Sequence, residues 1–286
     1  MKAGGSASTT CTGTTVERLL VRTWNLFHGN AVPPERAAFL AEMVRLAAEG
    51  RPDVLCLQEL PVWALGRLEG WSGMTAVTAV ARRPMLGPLP GNAELGRLVT
   101  DIDHGLFRSA FTGQANAVLL APSLQVLDRR EVVLNPYAFR RVQARRLGLA
   151  IVPRLVWSKE RRVCHVVRVR RDEGTVVVAN LHASGSTDKR IPDAELLRAA
   201  VFVDGVAEPG EPVVLAGDFN IGVTSSRTLA DLTSEEWGFE GATPSGIDHV
   251  LVRSHRAGAP VRWERERRTR YGRLLSDHAP VDRELE

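Results

Sequence analysis

Short polar segments stand at five places far apart in the chain, and their residues are of the types that metal-assisted phosphate chemistry uses. They are TWNLFHGN (Thr23 to Asn30), LCLQEL (Leu55 to Leu60), ANLHASG (Ala179 to Gly185), VVLAGDFN (Val213 to Asn220), and the pair IDHVLV (Ile247 to Val252) with LSDHAPV (Leu275 to Val281). Four of them follow or include an apolar, β-branched run that is typical of a buried strand. Because enzymes collect catalytic groups at strand ends, these segments together predict one site.

The oxygen-bearing side chains in these segments suit Mg²⁺ or Mn²⁺, which bind few protein carboxylates and keep several waters. Glu59 is the first candidate ligand, because it is a carboxylate that comes at the end of an apolar strand. Asn25 offers an amide oxygen, and Asp277 offers a second carboxylate from the other half of the chain. His278 is the candidate general base, since an imidazole of near-neutral pKa can take a proton from water.

Strands and helices must alternate along the chain to position these residues, and no linker is obvious between them. Val16 to Leu26 and Asp53 to Leu57 are predicted strands. Pro33 and Pro34 are predicted to open a helix that Gly50 closes. Further strands are predicted at Met74 to Ala81, Val213 to Ala216, Ile247 to Val252 and about Ala279 to Val281, and further helices at Pro192 to Val206 and Arg227 to Trp237.

Two pairs of neighbouring strands are predicted in the middle of the chain. Asn116 to Leu120 and Gln125 to Leu134 resemble the arms of a hairpin. Arg162 to Arg170 and Thr175 to Leu181 form a second antiparallel pair around a short polar turn. The pattern of Asn135 to Ser158 leaves its conformation open. Many strands with a few crossover helices indicate two packed sheets flanked by helices.

The chain of 286 residues, 44% of them apolar, can fill a real core, and we expect one domain over residues 16–286. Residues 1–15, rich in Ser, Thr, Gly and Ala, are a predicted disordered tail without the apolar run of a secretory signal. An insertion at about 83–113 is expected to overhang the cleft. No apolar run is long enough to span a membrane. Cys56 and Cys164 lie in apolar runs, which predicts buried thiols and a cytoplasmic protein. We also expect a monomer.

The segments resemble the endonuclease/exonuclease/phosphatase superfamily, which has the deoxyribonuclease I-like fold. Six motifs arrive in that family's order from about Val16 to Val281: W-N, Q-E, N-x-H, G-D-x-N, D-H and S-D-H. Asn116 in QANAVLL and the run Glu160-Arg161-Arg162 are softer matches. The resemblance implies an α/β (α+β) fold, a four-layer α/β/β/α sandwich of two mixed, mainly antiparallel sheets. It places the site where the loops of both sheets meet.

The resemblance also implies a metal site and a base. It assigns Asn25, Glu59 and Asp277 to the metal, taken to be Mg²⁺ or Mn²⁺. His278 is then the general base, and Asp248 is the carboxylate that fixes its tautomer. Together these positions imply a hydrolase that cleaves a phosphoester with an activated water.

The remaining positions of the resemblance bind the phosphate. Asp218 and Asn220 would position the water and hold a phosphate oxygen. His182 would contact the phosphate or protonate the leaving group, and Asn180 is expected to help bind the phosphate. Phe27 stands where the apurinic-site repair branch carries an aspartate, which disfavours a dedicated base-excision enzyme.

The substrate stays open between several classes. The net charge is +4, and eight arginines crowd into Arg253 to Arg273, where Trp263 and Tyr271 could stack on bases. Arg140, Arg141, Arg145 and Arg146 form a second basic run. Both favour a nuclease, while an arginine-rich solvated face is the alternative. The second hypothesis is a phosphatase or phosphodiesterase for a small or lipid phosphate. A binding protein on a retired enzyme scaffold is disfavoured, because no expected site residue is missing.

Overall fold

A computed structural model describes residues 18–86, 89–104, 111–172 and 174–286 of the chain. The predicted tail at 1–15 and parts of the predicted insertion at 83–113 lie outside the described residues. No helix within the described ranges is long and apolar enough to cross a bilayer.

The strands in chain order are β1 (Leu19–Asn25), β2 (Ala31–Val32), β3 (Val54–Leu60), β4 (Thr75–Arg82), β5 (Met85–Leu86), β6 (Leu89–Pro90), β7 (Gln114–Leu120), β8 (Gln125–Val133), β9 (Val163–Arg171), β10 (Gly174–His182), β11 (Val213–Asp218), β12 (Asp248–Arg253), β13 (Val261–Arg262), β14 (Thr269–Arg270), β15 (Arg273–Leu275) and β16 (Val281–Leu285). The α-helices are α1 (Leu40–Ala48), α2 (Leu68–Ser72), α3 (Ala93–Thr100), α4 (Tyr137–Arg146), α5 (Ile151–Lys159), α6 (Arg190–Asp204) and α7 (Arg227–Leu232). Short 3₁₀ turns cover Phe27–Gly29, Val62–Arg67 and Glu266–Arg268.

Two mixed sheets carry the fold. One has six strands in the order β13-β16-β1-β3-β7-β4, and the other has five in the order β12-β11-β10-β9-β8. Each contains one parallel pair, β1 with β3 and β10 with β11, and the other pairs within them are antiparallel. The parallel pairs matter for the site, because the carboxyl ends of parallel strands meet at the same edge of a sheet.

Three apolar layers separate and cover the sheets, so the predicted four-layer α/β/β/α sandwich is confirmed. β-branched residues such as Val21, Val118 and Val214 fill the space between the sheets. Met43 of α1 belongs to the layer outside the six-stranded sheet, and Leu196 of α6 belongs to the layer outside the five-stranded sheet. Each layer removes an apolar sheet face from water, which is the main free-energy gain of a sandwich fold.

Several predicted elements needed correction. β7 and β8 do not form a hairpin: β7 pairs with β3 and β4 in one sheet, whereas β8 pairs with β9 in the other. The intervening turn carries the chain between sheets, which a strand pattern alone cannot reveal. The first helix begins at Leu40 rather than at Pro33, although Gly50 follows its end as predicted, in a left-handed conformation. The last strand, Val281–Leu285, lies C-terminal to the predicted one.

The segment that the sequence left open forms α4 and α5, a pair of helices between β8 and β9. The antiparallel pair β9 and β10 lies where it was predicted. In the insertion, His104 contacts the carbonyl oxygen of His28 at 2.7 Å, so this part of the insertion packs on the segment that follows β1. Cys56 and Cys164 are buried free thiols, as expected, and burial raises the pKa of Cys164 to about 12.

Candidate active site

Asp218 lies at the centre of the polar groups that the two sheets bring together. It ends β11 and is almost completely buried. Its Oδ2 accepts a hydrogen bond from Nδ2 of Asn25 at 2.9 Å and another from Nδ2 of Asn220 at 3.1 Å. Burial, reinforced by the nearby Asp248 carboxylate, raises the pKa of Asp218 to about 6, although His278 opposes the shift. Asn25 and Asp218, two predicted site residues that are 193 positions apart in the sequence, are therefore in direct contact.

His278 and Asp248 form a hydrogen-bonded pair beside Asp218. Nδ1 of His278 lies 2.9 and 3.0 Å from the two carboxylate oxygens of Asp248, and Nε2 lies 3.8 Å from Oδ2 of Asp218. Burial alone would lower the pKa of His278, but the Asp248 and Asp218 carboxylates outweigh it and raise the pKa to about 10. A carboxylate on Nδ1 fixes the ring orientation and leaves Nε2 directed at the centre of the site.

His182, at the end of β10, approaches the same centre from the other side. Its Nε2 lies 3.5 Å from Oδ2 of Asp218 and 3.6 Å from Oε1 of Glu59. Gln114 and Arg162 place donor nitrogens 3.1 and 2.9 Å from its Nδ1. Burial, together with the charge of Arg162, lowers the pKa of His182 well below its usual value. The ring is therefore neutral. Nη1 of Arg162 lies 2.9 Å from Nε2 as well as from Nδ1, but Nε2 also faces the carboxylates of Asp218 and Glu59, which favours the tautomer with its proton on Nε2.

Glu59 is the penultimate residue of β3 and lies next to the end of β1, where Asn25 stands opposite Gln58 in the parallel register. The carboxylate oxygens of Glu59 lie 3.5 Å from Nε2 of His28 and 3.6 Å from Nε2 of His182, beyond a direct N–H···O hydrogen bond. A cavity of about 30 Å³ borders Glu59 and His28. Among the described residues no donor lies within hydrogen-bond distance of the Glu59 carboxylate, and Oδ1 of Asn25 accepts from the backbone N–H of Phe27 at 2.9 Å. Carboxylate and amide oxygens are hard ligands, so these residues fit Mg²⁺ or Mn²⁺.

Asp277 differs from the other predicted metal ligands, because its side chain is exposed beside His278. Among the described residues, the acidic and imidazole groups whose ligand atoms converge to within 4.8 Å are those of Asp218, Asp248 and His278. Two arrangements could therefore hold a cation: the predicted oxygen ligands Asn25, Glu59 and Asp277, or the Asp-Asp-His group. The direct hydrogen bond between His278 and Asp248 favours proton handling for the second group.

Asn180 does not face the cleft. It is completely buried, and its Nδ2 donates to the carbonyl oxygens of Leu57 and Ala117 at 3.0 and 2.8 Å. Its Oδ1 accepts from Nε2 of Gln58 at 2.7 Å, so the amide is fully engaged across the two sheets. Asn180 therefore joins the two sheets behind the site. Its amide nitrogen and oxygen are both hydrogen-bonded within the protein and do not face a phosphate in the cleft.

Backbone strain is concentrated in the segments that carry these residues. Left-handed conformations occur at Phe27, His28, Glu59, Asn220 and Ser276, each inside or beside a polar segment. The motif glycine before Asp218 also has a strict role, because a Cβ at Gly217 would overlap the carbonyl oxygen of Leu181 in the neighbouring strand. Only glycine lets β11 pass this close to β10 and deliver Asp218 to the centre.

Sequence reasoning missed two residues that contact His182. Arg162 donates to Glu160 and to His182, and Gln114 reaches His182 from the first position of β7. The signal for Arg162 was present in the Glu160-Arg161-Arg162 run, which opens β9 directly beside β10. Gln114 carried no signal, because an isolated glutamine at a strand start is common. Its role depends on the crossing of β7 over β10.

Comparisons with known proteins agree with this architecture. Residues 23–278 match the model of the Endonuclease/Exonuclease/phosphatase family. The fold is similar to an endonuclease/exonuclease/phosphatase from Beutenbergia cavernae DSM 12333, at 18% identity and a TM-score of 0.64 over 94% of this chain and 71% of that one. A functionally unknown conserved protein from Enterococcus faecalis V583 has 14% identity and a TM-score of 0.63 over 94% and 99% of the two chains. TDP2 from Caenorhabditis elegans has 13% identity and a TM-score of 0.59 over 94% and 75%. No curated protein matches the chain significantly.

Proposed function

Because the chain belongs to the endonuclease/exonuclease/phosphatase family, whose members are generally hydrolases of phosphoester bonds, we propose that it is a divalent-metal-dependent phosphodiesterase. The observation that carries the proposal is the His278–Asp248 pair, whose free Nε2 faces Asp218. A buried imidazole held by one carboxylate and aimed at another is an arrangement for moving a proton. No purely structural role needs that geometry at a convergence of strand ends.

His278 acts on the attacking water in this proposal. Its Nε2 accepts the proton, and Asp248 holds the ring and stabilises the imidazolium that forms. Asp218, with Asn220 at its side, orients the water through its second carboxylate oxygen. The carboxylates hold the pKa of His278 near 10. A bound cation would supply opposing positive charge to them and to the phosphate, and this would favour the unprotonated base.

The phosphate is bound mainly by His182 and Asn220. The neutral His182 donates its Nε2 proton into the space between Asp218 and Glu59. Its low pKa makes it a hydrogen-bond donor to a phosphate oxygen rather than an acid that protonates the leaving group. Arg162 and Gln114 position this ring without reaching the substrate themselves. Glu59 and Asn25, with Asp277, would hold the cation.

The substrate proposed first is a nucleic acid. Within Arg253 to Arg273 five arginines are exposed: Arg256, Arg262, Arg265, Arg267 and Arg273. The side chains of Arg256, Arg262 and Arg265 form no ion pair among the described residues, and Tyr271 in the same run is 83% exposed. These groups could bind a phosphate backbone and stack on a base. The second candidate is a lipid or other small phosphodiester, which the exposed apolar and basic surface of α4 and α5 favours. A non-enzymatic scaffold is disfavoured, because the proton-handling geometry is complete.

Hydrolysis assays test the proposal. Purified protein with Mg²⁺, with Mn²⁺ and with chelator should be given plasmid DNA, single-stranded DNA, RNA and bis-p-nitrophenyl phosphate. The Asp218→Ala variant should be compared with Asp231→Ala, an exposed aspartate on α7 away from the site. Metal-dependent cleavage that Asp218→Ala alone abolishes supports a phosphodiesterase, and the substrates cleaved identify the class. Cleavage that survives Asp218→Ala would contradict the proposed centre.

Two further substitutions separate the roles. His278→Ala should lower kcat by about 10² to 10⁴ at saturating metal, which is the usual contribution of a general base. Glu59→Gln should raise the metal concentration needed for half-maximal activity. Near-normal turnover in the first variant would exclude His278 as the base, and unchanged metal dependence in the second would exclude Glu59 as a ligand.

A further inference from the structure

The two helices α4 and α5 combine strong positive charge with exposed apolar side chains. Between Asn135 and Lys159 the sequence has no acidic residue. It has six cationic ones: Arg140, Arg141, Arg145, Arg146, Arg154 and Lys159. Among the described residues, none of these six forms an ion pair within 4.0 Å. The helix pair is therefore a concentrated cationic surface that the fold itself does not neutralise.

The outer face of α5 is apolar where a soluble helix is normally polar. Ile151, Val152 and Leu155 are 73%, 70% and 60% exposed, and Val156 is exposed beside them. Their spacing places them on one face of the helix. The opposite face is fixed to the protein by Trp157, which is buried and donates from Nε1 to Oε1 of Glu195 at 2.5 Å. The helix thus holds an aliphatic ridge in water.

Between the two helices lies a cavity of about 420 Å³, and four of its nine lining residues are arginines. Arg140, Arg141, Arg145 and Arg154 contribute to its wall, and Tyr137 stands at its edge with an exposed ring. The Nε of Arg140 is buried without a hydrogen-bond partner. Guanidinium groups around a cavity and an unused buried donor are suited to a phosphate group.

We propose that α4 and α5 dock the protein on an anionic phospholipid bilayer, with a lipid phosphate in the arginine cavity and the Ile151–Val156 ridge among the acyl chains. The two halves of the surface fit the two layers of such a membrane, because arginines bind headgroups and aliphatic side chains enter the apolar interior. A nucleic acid would satisfy the charge but leave four aliphatic side chains in water. A second copy of the chain would place like charges against each other.

The docking surface is connected to the candidate active site by a very short stretch of chain. Lys159 ends α5, and Arg162, three residues later, contacts the ring of His182. Glu160, between them, lines the small cavity that borders Glu59. Docking would therefore hold the cleft near the headgroup layer. The inference does not rest on the proposed function, since it concerns binding and is tested without turnover.

Vesicle co-sedimentation tests the inference with the full chain. Vesicles of phosphatidylcholine alone should be compared with vesicles of phosphatidylcholine mixed with phosphatidylglycerol. We expect binding to the mixed vesicles only, weakened by salt. Arg141→Glu with Arg145→Glu should weaken it by at least about tenfold, because each cation contributes roughly a factor of five at an anionic surface. Ile151→Ser with Leu155→Ser should also weaken binding, and this loss should persist at low salt.

The matched control is Arg256→Glu with Arg262→Glu, which changes the net charge equally at two exposed arginines of the other basic run. It should retain most of the vesicle binding. All these positions are exposed, and unchanged circular dichroism and melting temperature would show that the variants fold. Failure of the wild-type protein to bind mixed vesicles would overturn the inference, as would equal losses in the control. Binding that depends on Arg141 and Arg145 for single-stranded DNA but not for vesicles would overturn it in favour of nucleic acid.

Discussion

The two arginine-rich segments, Arg253 to Arg273 and the helix pair α4 and α5, are similar in sequence, but their arginines have different surroundings in the structure. In Arg253 to Arg273, five of the eight arginines contact the protein itself. Those arginines are Arg253, Arg267, Arg268, Arg270 and Arg273. In α4 and α5, the cations form no ion pair among the described residues, and apart from Arg154, whose Nε donates to the carbonyl oxygen of Leu149 at 2.8 Å, they face solvent and a cavity. The first run is largely part of the folded structure, and the second is available for a partner.

The difference lies in what the fold places next to each run. Arg268 is buried against the carbonyl oxygens that precede Asp277, and Trp263 is covered by Arg22 on one side and Arg267 on the other. Trp263, which the sequence offered for base stacking, is therefore buried, while Tyr271 is exposed. Charge density alone does not distinguish these cases. Nucleic-acid binding by Arg253 to Arg273 stays a prediction, and only the exposed arginines of this segment remain candidates for it.

Arg268→Ala should have the largest effect on stability. Arg268 donates to the carbonyl oxygens of Leu275 and Ser276 at 3.2 and 2.7 Å, and its removal leaves both acceptors buried and unsatisfied. We expect a loss of about 3 kcal/mol in the free energy of unfolding. Urea denaturation measures it, and Arg268→Lys should recover part of the loss. A change in the free energy of unfolding below about 0.5 kcal/mol would mean that Arg268 contributes no more than a solvated arginine. The two arginine-rich segments would then differ less than the structure indicates.

Arg267→Ala should have a smaller effect. Its guanidinium carbon lies 3.4 Å from the centroid of the Trp263 ring, but the side chain is half exposed. A partly exposed cation–π contact is worth about 1 kcal/mol, so thermal and urea denaturation should show a loss of that size. Arg265→Ala, at an exposed neighbour, is the control and should be neutral. Equal effects at both positions would mean that the ring contact contributes nothing specific.

Arg273→Ala should cost less again. Its Nε lies 2.6 Å from both carboxylate oxygens of Glu35, yet both side chains are partly exposed to solvent. Exposed pairs contribute about 0.2–1 kcal/mol and weaken with salt. A double-mutant cycle with Glu35→Ala isolates the pair, and its coupling energy should shrink as salt is added. A salt-independent coupling would show that packing, not charge, joins these residues.

Arg141→Ala with Arg145→Ala should leave the free energy of unfolding within about 0.5 kcal/mol of the wild type. Neither residue is buried or forms an ion pair among the described residues, so the native state loses nothing with them. The same variant should lose vesicle binding. Urea denaturation measures the stability of this variant, and vesicle sedimentation measures its binding. Unchanged stability with lost binding would show that the arginines of α4 and α5, unlike Arg268, are not needed for the fold. A large destabilisation would mean that the second run is also structural.

The sequence predicted the architecture, and it identified most of the residues that converge at the candidate site, because both depend on local patterns. Apolar runs that end in Asp218 or Glu59 identify strands and their polar ends directly. It could not predict which sheet a strand joins, so the place of β8 was wrong. The same limitation hid Gln114, which reaches His182 only because strands of different sheets cross. The bridging role of Asn180 was also out of reach. Asn180 and His182 lie on the same face of β10, two residues apart, and only their distance from the strand end separates the residue packed between the sheets from the residue at the site.

The pairing of β1 with β16 has a consequence for how the protein is made. Leu19 pairs with Leu285, and the indole of Trp24 donates to the carbonyl oxygen of His278, 254 residues away. A ribosome releases the chain from its N-terminus, so β1 emerges long before its partner strand exists. Asp248 and His278 also emerge late. A nascent chain therefore exposes Asn25 and Glu59 before the His278–Asp248 pair exists, so the proposed catalytic centre could assemble only after Val281–Leu285 had emerged and paired with β1.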